Sequence, residues 1–320
     1  MKLKSWLVGL LAIAFCVGSL SGCGIVSNKQ LKIMTYNAEF LWDGVEPEEG
    51  NADFPWKGDQ KQAEARMKKI AKVIKKNDPD LVNLVEVENL DALTTLNDKY
   101  LSGEGYQPYF VKGKDTATGQ DVALLSKIKP SQIARSDIKG ISKGVVKTVS
   151  KNYFALLDYQ DYKLAIIGVH FLAQPLSKNR KSSRQAQAYA IRALASNLRD
   201  RGYLPIILGD FNDFDGEVTD RNNNKPITNV LARLKNLGTS DPEDDLINAL
   251  EFVPQSDRYT AYYDPNRDGE IQPDKELSAI DFILLANELK AKVRQVKIDQ
   301  SYDPRELSDH FPIIVTLDFD

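Results

Sequence analysis

Leu204-Pro205-Ile206-Ile207-Leu208-Gly209-Asp210-Phe211-Asn212 is the stretch on which the fold turns. A short apolar run bounded by turn residues reads as a strand buried on both faces, and this one ends in a carboxylate and an amide. Polar side chains at such strand ends sit where mixed α and β folds place their chemistry. The same design recurs along the chain. Asn37 follows Ile33-Met34-Thr35-Tyr36, Glu86 lies within Leu84-Val85-Glu86-Val87, and His170 closes Leu164-Ala165-Ile166-Ile167-Gly168-Val169. Asp281 is inside Ala279-Ile280-Asp281-Phe282-Ile283, and Ser308-Asp309-His310 precedes Phe311-Pro312-Ile313-Ile314-Val315. A carboxylate in an apolar strand is costly unless it is paired or holds a metal. Glu86, Asp210, Asp281 and Asp309 in these settings point to a hard cation with oxygen ligands. Each residue alone has an ordinary structural explanation, such as a turn, a core ion pair or a hydrogen-bonded core histidine. Against those explanations stands the fact that the chain has two histidines and both fall in this set.

Working outward, residues 31–36 read as a strand and 61–76 as a helix with Ala63, Met67, Ile70, Ala71 and Ile74 on one face, stopped by Asn77-Asp78-Pro79. Residues 81–87 read as a strand followed by a short helix over 91–100, and 105–111 and 121–126 as strands. Residues 153–159 and 163–169 form an expected hairpin, 181–201 a long helix, and 204–209, 279–285 and 313–318 further strands. The region 215–257 is polar and reads as loop with one helix. Hairpins among the strands argue against a purely parallel doubly wound sheet, and two packed sheets covered by helices suit the pattern. With 320 residues and 42% apolar composition the chain can bury one large core or two ordinary ones. No internal repeat or long linker follows residue 30.

The first residues form a separate object. Lys2 and Lys4 precede an apolar run from Trp6 to Val17 and then Leu20-Ser21-Gly22-Cys23. The run is short for a spanning helix and its flanks suit an export signal. Its end resembles the lipobox of bacterial lipoproteins, which implies cleavage before Cys23 and lipidation of its thiol. A plain signal peptide or a retained N-terminal anchor is the alternative. The expected organisation is a signal over 1–22, a tether over 23–30 and one domain over 31–320, exported and held at a membrane on its periplasmic or cell-surface side. Only Cys16 and Cys23 are present, so a processed chain has no disulfide, thiol nucleophile or Cys zinc site. Loss of Lys2 and Lys4 would take the net charge from −3 to about −5. That balance does not announce nucleic acid, and a metal with a few placed basic residues serves a nuclease equally well.

Together the segments resemble the endonuclease/exonuclease/phosphatase superfamily, which includes deoxyribonuclease I. The likeness spans residues 31–318 and rests on Met34-Thr35-Tyr36-Asn37, Pro79-Asp80-Leu81-Val82-Asn83-Leu84-Val85-Glu86-Val87, Asp121-Val122-Ala123-Leu124-Leu125-Ser126, Gly168-Val169-His170-Phe171, Gly209-Asp210-Phe211-Asn212, Ile280-Asp281-Phe282-Ile283-Leu284 and Ser308-Asp309-His310 in that order. It implies an α/β (α+β) fold, a four-layered α/β/β/α sandwich of two mixed sheets flanked by helices. It implies that Asn37, Glu86 and Asp309 hold Mg²⁺ (or Mn²⁺), with Glu86 the main carboxylate. Asp210 and Asn212 would orient the attacking water, Asp281 would fix the tautomer of His310, and His310 and His170 would act at the phosphate. Whether Asp210 or His310 takes the water's proton stays open.

Substrate signals are sparser. Ser177-Lys178-Asn179-Arg180-Lys181-Ser182-Ser183-Arg184 places basic residues just after His170. They read either as a solvated helix start or as a grip on flanking phosphates, with Arg184 favoured, Arg180 and Lys178 beside it, and Arg258 a further candidate. The wording of Glu86-Val87-Glu88-Asn89 and Asp257-Arg258-Tyr259-Thr260 is similar to secreted bacterial nucleases, which favours a nuclease on DNA or RNA, acting as a monomer with no protein partner implied. A phosphatase or phosphodiesterase on small or phospholipid-head-group phosphates is the second reading, and a non-catalytic surface binding protein on the same fold the third. Asp264-Pro265-Asn266-Arg267-Asp268-Gly269-Glu270-Ile271 resembles the start of an EF-hand calcium loop, but the twelfth position is Lys275. It reads either as an Asp/Gly-rich loop or as a Ca²⁺ site on Asp264, Asn266 and Asp268 completed by Asp274 or Glu276.

Overall fold

The computed structural model describes residues 29–45, 58–174, 177–238 and 241–320, excepting the side chains of Lys178 and Asn179. The expected signal, Cys23 and all of the tether but its last two residues lie outside the described residues. No helix among the described residues is long and apolar enough to cross a membrane.

In chain order, β1 (Gln30–Leu41) leads through α1 (Gln60–Asn77) to β2 (Leu81–Val87) and α2 (Leu90–Thr95). Next come β3 (Gln107–Phe110), β4 (Asp121–Ser126) and three short strands, β5 (Gln132–Ala134), β6 (Gly140–Ser142) and β7 (Val145–Lys147). The long pair β8 (Lys151–Tyr159) and β9 (Tyr162–His170) runs into α3 (Lys178–Arg199), β10 (Leu204–Asp210) and α4 (Val230–Lys235). The chain ends with β11 (Leu246–Asn248), β12 (Ala261–Tyr262), β13 (Leu277–Ser278), β14 (Asp281–Ala286), β15 (Val293–Ile298) and β16 (Ile313–Asp318).

Two six-stranded sheets result, ordered β15-β16-β1-β2-β4-β3 and β11-β14-β10-β9-β8-β5. The period of two in a strand explains their stacking. In β1, Leu31 and Ile33 enter the core that joins the two sheets, while Met34, Tyr36 and Ala38 pack with Met67, Ile70 and Ile74 of α1. On the far side, Ala188, Ile191 and Leu198 of α3 join the core that contains Ile167, Ile207 and Leu208. The architecture is the α/β/β/α sandwich. α1 starts where Asp59 accepts from the Gln62 amide at 3.0 Å and ends at Asp78, whose φ of 44° is left-handed.

Three features depart from the sequence periodicity. β1 continues to Leu41 through a register shift against β2 between Asn37 and Leu41, and β2 shifts against β4 between Val85 and Val87. At those bulges the backbone enters left-handed space at Glu39 (φ 42°), Phe40 (φ 67°) and Glu86 (φ 65°). The helix expected over 91–100 is α2 followed by a wider π turn over Leu96–Tyr100. The unexpected β15 is a sheet-edge strand whose Arg294, Gln295 and Lys297 break the apolar signal, as edge strands often do.

Gly209 shows how tightly the sheet end is built. Its φ is 139°, and a Cβ there would lie 1.9 Å from the Val169 carbonyl oxygen on β9. Gly209→Ala should therefore destabilise the fold by about 2–4 kcal/mol. Urea unfolding would measure it, and an unchanged midpoint would show that the strand end relaxes freely.

Candidate active site

Strand register gathers the chemistry into one row. Across the second sheet Lys151 of β8 pairs with His170 of β9, His170 with Asp210 of β10, and Asp210 with Asp281 of β14. Directly paired residues share a face of the sheet. The first sheet meets this row with Asn37 and Glu86. The Asn37 amide nitrogen lies 3.4 Å from Glu86 Oε1 and 3.4 Å from Asp210 Oδ2. His170 Nε2 is 3.7 Å from Asp210 Oδ2 and 4.0 Å from Glu86 Oε1.

The loop before β16 closes the site. Ser308 Oγ donates to the Asn37 carbonyl at 2.8 Å, which fixes the loop to β1. His310 Nδ1 then lies 2.7 Å from Asp281 Oδ2, and the same oxygen accepts from Thr260 Oγ1 at 2.9 Å. His310 Nε2 is 3.7 Å from Asp309 Oδ1. Beyond β10 the chain turns sharply at Asn212 (φ 50°), whose amide N–H donates to Asp210 Oδ1 at 2.9 Å. The Asn212 side chain donates to the Phe171 carbonyl at 3.1 Å. Asn37, Glu86, His170, Asp210, Asn212, Asp281, Asp309 and His310 thus converge from separate segments.

Burial and mutual repulsion dominate the electrostatics. Burial first, and then Asp309, raises the Glu86 carboxyl above the usual range. Burial and the neighbouring Asp281 push Asp210 up to about 8, and burial and Asp309 push Glu39 up to about 7. Burial likewise raises Asp309. The two histidines go opposite ways. Burial, then Lys151 and His310, depresses His170 well below its ordinary value. Burial also opposes a charge on His310, but Asp281, Asp309 and Asp210 outweigh it and raise that imidazole well above its ordinary value.

Crowded, buried oxygen donors of this kind suit a hard divalent cation. One cluster with metal-ligand spacing is Asp210, Asp281 and His310, whose ligand atoms lie within 4.8 Å of one another. Asp281 and His310 are already bound to each other through Nδ1, so this trio is a hydrogen-bonded dyad beside an acid. Glu86 and Asp309, with Asn37, are the residues whose chemistry fits the ion.

Sequence reasoning missed four contributors. Glu39, two residues after Asn37, accepts from the Asp309 amide at 3.0 Å and from Arg66 Nη2 at 3.3 Å. Gln120 donates to Glu86 Oε2 at 3.1 Å, and Lys151 Nζ lies 3.4 Å from Gln120 Oε1 and 3.0 Å from Asp115 Oδ2. A lysine only donates, so it turns the Gln120 oxygen toward itself and the amide N–H₂ toward Glu86. Thr260 steadies Asp281. Spacing from Asn37 marks Glu39 as a candidate, whereas Lys151 is found only by strand register and Gln120 and Thr260 only by their side-chain contacts with Glu86 and Asp281.

The basic candidates part company. Arg184 is fully buried, 4.0 Å from Asp213 Oδ2, and donates to the Leu172 carbonyl at 3.4 Å. No phosphate reaches it there, so it braces the segment after His170 instead of gripping substrate. Arg258 is likewise committed to the backbone, donating to the carbonyls of Val253 (2.8 Å), Thr219 (3.2 Å) and Glu251 (3.4 Å). Arg180 donates to the Ala173 carbonyl at 3.3 Å near the site, and the Lys178 side chain lies outside the described residues. In the Asp264 loop, carboxylates of Asp264, Asp268 and Glu276 come within 4.8 Å of one another, and the Asn266 amide donates to Asp268 at 2.7 Å. Glu276, one place beyond Lys275 at the twelfth loop position, supplies the third acid.

The sequence profile of the Endonuclease/Exonuclease/phosphatase family matches residues 34–310, and the chain belongs to that family. Solved structures share its fold. A 3'-5' exonuclease (NExo) from Neisseria meningitidis superposes with a TM-score of 0.62 at 17% identity, covering 90% of this chain and 100% of that one. A family protein from Leptotrichia buccalis C-1013-b gives 0.60 at 19% identity, covering 90% and 100%. An AP endonuclease from Archaeoglobus fulgidus gives 0.59 at 16% identity, covering 90% and 99%. No curated protein sequence matches the chain. The family supports hydrolysis of phosphate esters, and its enzymes are typically dependent on a divalent metal.

Two histidines in opposite environments give a direct test. In the metal-free protein at pH 7, ¹⁵N NMR should find His310 doubly protonated and His170 neutral. Asp281→Asn removes the carboxylate that holds the Nδ1 proton, so it should lower the His310 pKa. Two rings titrating together near the ordinary value would contradict this arrangement.

Proposed function

We propose that the chain is an exported, Mg²⁺- or Mn²⁺-dependent phosphodiesterase that hydrolyses phosphate esters with an activated water, and that it is a nuclease acting on DNA or RNA. The observation that carries this reading is the 2.7 Å Asp281–His310 pair facing Asp210, with Glu86 and Asn37 opposite.

Glu86, Asn37 and Asp309 would hold the metal, with Gln120 fixing one oxygen of Glu86. When bound, the ion neutralises phosphoryl oxygens and steadies the leaving oxygen. The protein groups do the rest. Asp281 keeps a proton on His310 Nδ1, which leaves Nε2–H to donate to the phosphate as negative charge builds. A charged His310 is a poor proton acceptor, so Asp210, held in place by the Asn212 amide N–H, is the better base for the water once its own raised carboxyl has lost its proton. His170, neutral and buried beside Asp210, donates to a phosphoryl or leaving oxygen. Family likeness favours a nucleic acid over a small ester, with Arg180 the remaining described candidate after His170 for a flanking phosphate.

At the N-terminus, a lipid on Cys23 would tether a monomeric domain to a membrane on the exported side. Calcium in the Asp264 loop would brace the segment before Asp281, and a calcium-specific rise in thermal stability would support it.

Incubation with plasmid DNA, RNA, a nitrophenyl phosphodiester and inositol phosphates, each with Mg²⁺, Mn²⁺ or Ca²⁺, tests the activity. Cleavage of DNA or RNA is expected, and His310→Ala or Asp210→Asn should lower kcat by about 10²–10⁴-fold. Turnover of none of these esters would defeat the enzyme reading, and full activity in His310→Ala would defeat the site.

A further inference from the structure

Charge is segregated along this chain. There are 45 acids in 320 residues, yet none occurs from Ile138 to Leu157 or from Tyr162 to Arg199. The first acid-free stretch contains the hairpin β6–β7. Its turn is Lys143-Gly144, with φ of 48° and 79°, the two left-handed positions of a tight hairpin turn. Ile141 and Val146 pair directly across it and are 63% and 50% exposed. Lys139, Lys143 and Lys147 are exposed, Lys143 in the turn and Lys147 on the opposite face from Val146, with a side chain long enough to reach round the two-stranded ribbon. None of these three lysines makes an ion pair among the described residues.

The hairpin is fixed in place. A Cβ at Gly140 would lie 1.9 Å from the Ala186 carbonyl, so β6 is pressed against α3, and Ser142 Oγ lies 3.2 Å from Gln185 Oε1. The same turn of α3 holds the catalytic rim, because Gln187 accepts from the Leu172 amide at 3.0 Å and Arg184 donates to the Leu172 carbonyl. Lys147 precedes Lys151, the end of the catalytic row, by four residues, at most ~14 Å of chain. About four stacked nucleotides span that distance.

We propose that the β6–β7 hairpin is a phosphate-backbone rest, on which Lys139, Lys143 and Lys147 grip a nucleic acid strand leaving the active site. Ile141 and Val146 offer a small apolar face to its sugars or bases. Two side chains are too little apolar area to favour insertion into a lipid surface. The inference rests on the nuclease reading and names the element that would make a polymer the preferred substrate.

The test compares the wild-type full chain with Lys139→Glu/Lys143→Glu/Lys147→Glu and with the corresponding triple Lys→Arg variant. Substrates are DNA and RNA over a range of salt, a nitrophenyl phosphodiester, and anionic phospholipid vesicles. The Glu variant should raise KM for the polymer at least tenfold, leave kcat and small-ester turnover unchanged, and flatten the salt dependence by roughly one unit of slope per lysine. The Arg variant should stay near wild type. If wild type cuts the polymer and the Glu variant matches it in KM and salt slope, the hairpin inference is overturned and the nuclease reading stands. Loss of vesicle binding with unchanged polymer KM would overturn it in favour of a membrane contact. If wild type turns over only the small ester, the nuclease reading falls and the inference falls with it.

Discussion

The register of the second sheet is the constraint on which the site depends. Lys151, His170, Asp210 and Asp281 act together only because β8, β9, β10 and β14 are aligned so that these four fall opposite one another. A strand's side chains alternate between faces, so a slip of one residue would send any of them to the other side of the sheet. The buried apolar residues behind them prevent that slip. Ile206, Ile207 and Leu208 are fully buried, as are Ile166 and Ile167 beside them. Core packing thus sets catalytic geometry through the backbone ladder.

The first sheet contributes by breaking its own regularity. Glu86 lies at a register shift and has a positive φ, as do Glu39 and Phe40 in β1. Left-handed backbone at non-glycine residues costs energy and persists where the surroundings enforce it. Here the bulges turn Glu86 and Asn37 toward the opposing row. Ser308 Oγ on the Asn37 carbonyl and Gln120 on Glu86 then hold the result.

Much of this was legible in the sequence. Apolar runs ending in polar residues identified the strands, and the eight polar residues they carried are the ones that converge. Spacing alone did not reveal the bulges, because they alter φ without altering the apolar pattern. It also misjudged Arg184 and Arg258. Arg184 closes a basic run and Arg258 stands in a polar segment, so both look solvated or substrate-facing in sequence, and only the tertiary structure shows that Asp213 and backbone carbonyls claim them. Lys151 was missed for the opposite reason: it stands in an ordinary strand start, and its importance comes from the residue paired with it.

The site poses an electrostatic problem that the wider charge pattern answers. Glu39, Glu86, Asp210, Asp281 and Asp309 crowd one pocket, and a phosphate ester must approach it as an anion. A cation cancels that repulsion at the reacting phosphate, but its influence on neighbouring phosphates is screened within about 8–10 Å in physiological salt. A polymer substrate therefore needs attraction beyond the pocket. The two acid-free stretches, one before β9 that includes β6–β7 and one running from β9 through His170 and all of α3, lie where that attraction is required. An overall acidic chain can bind an anionic polymer on these terms, because the sign of the local field, not the net charge, meets the strand.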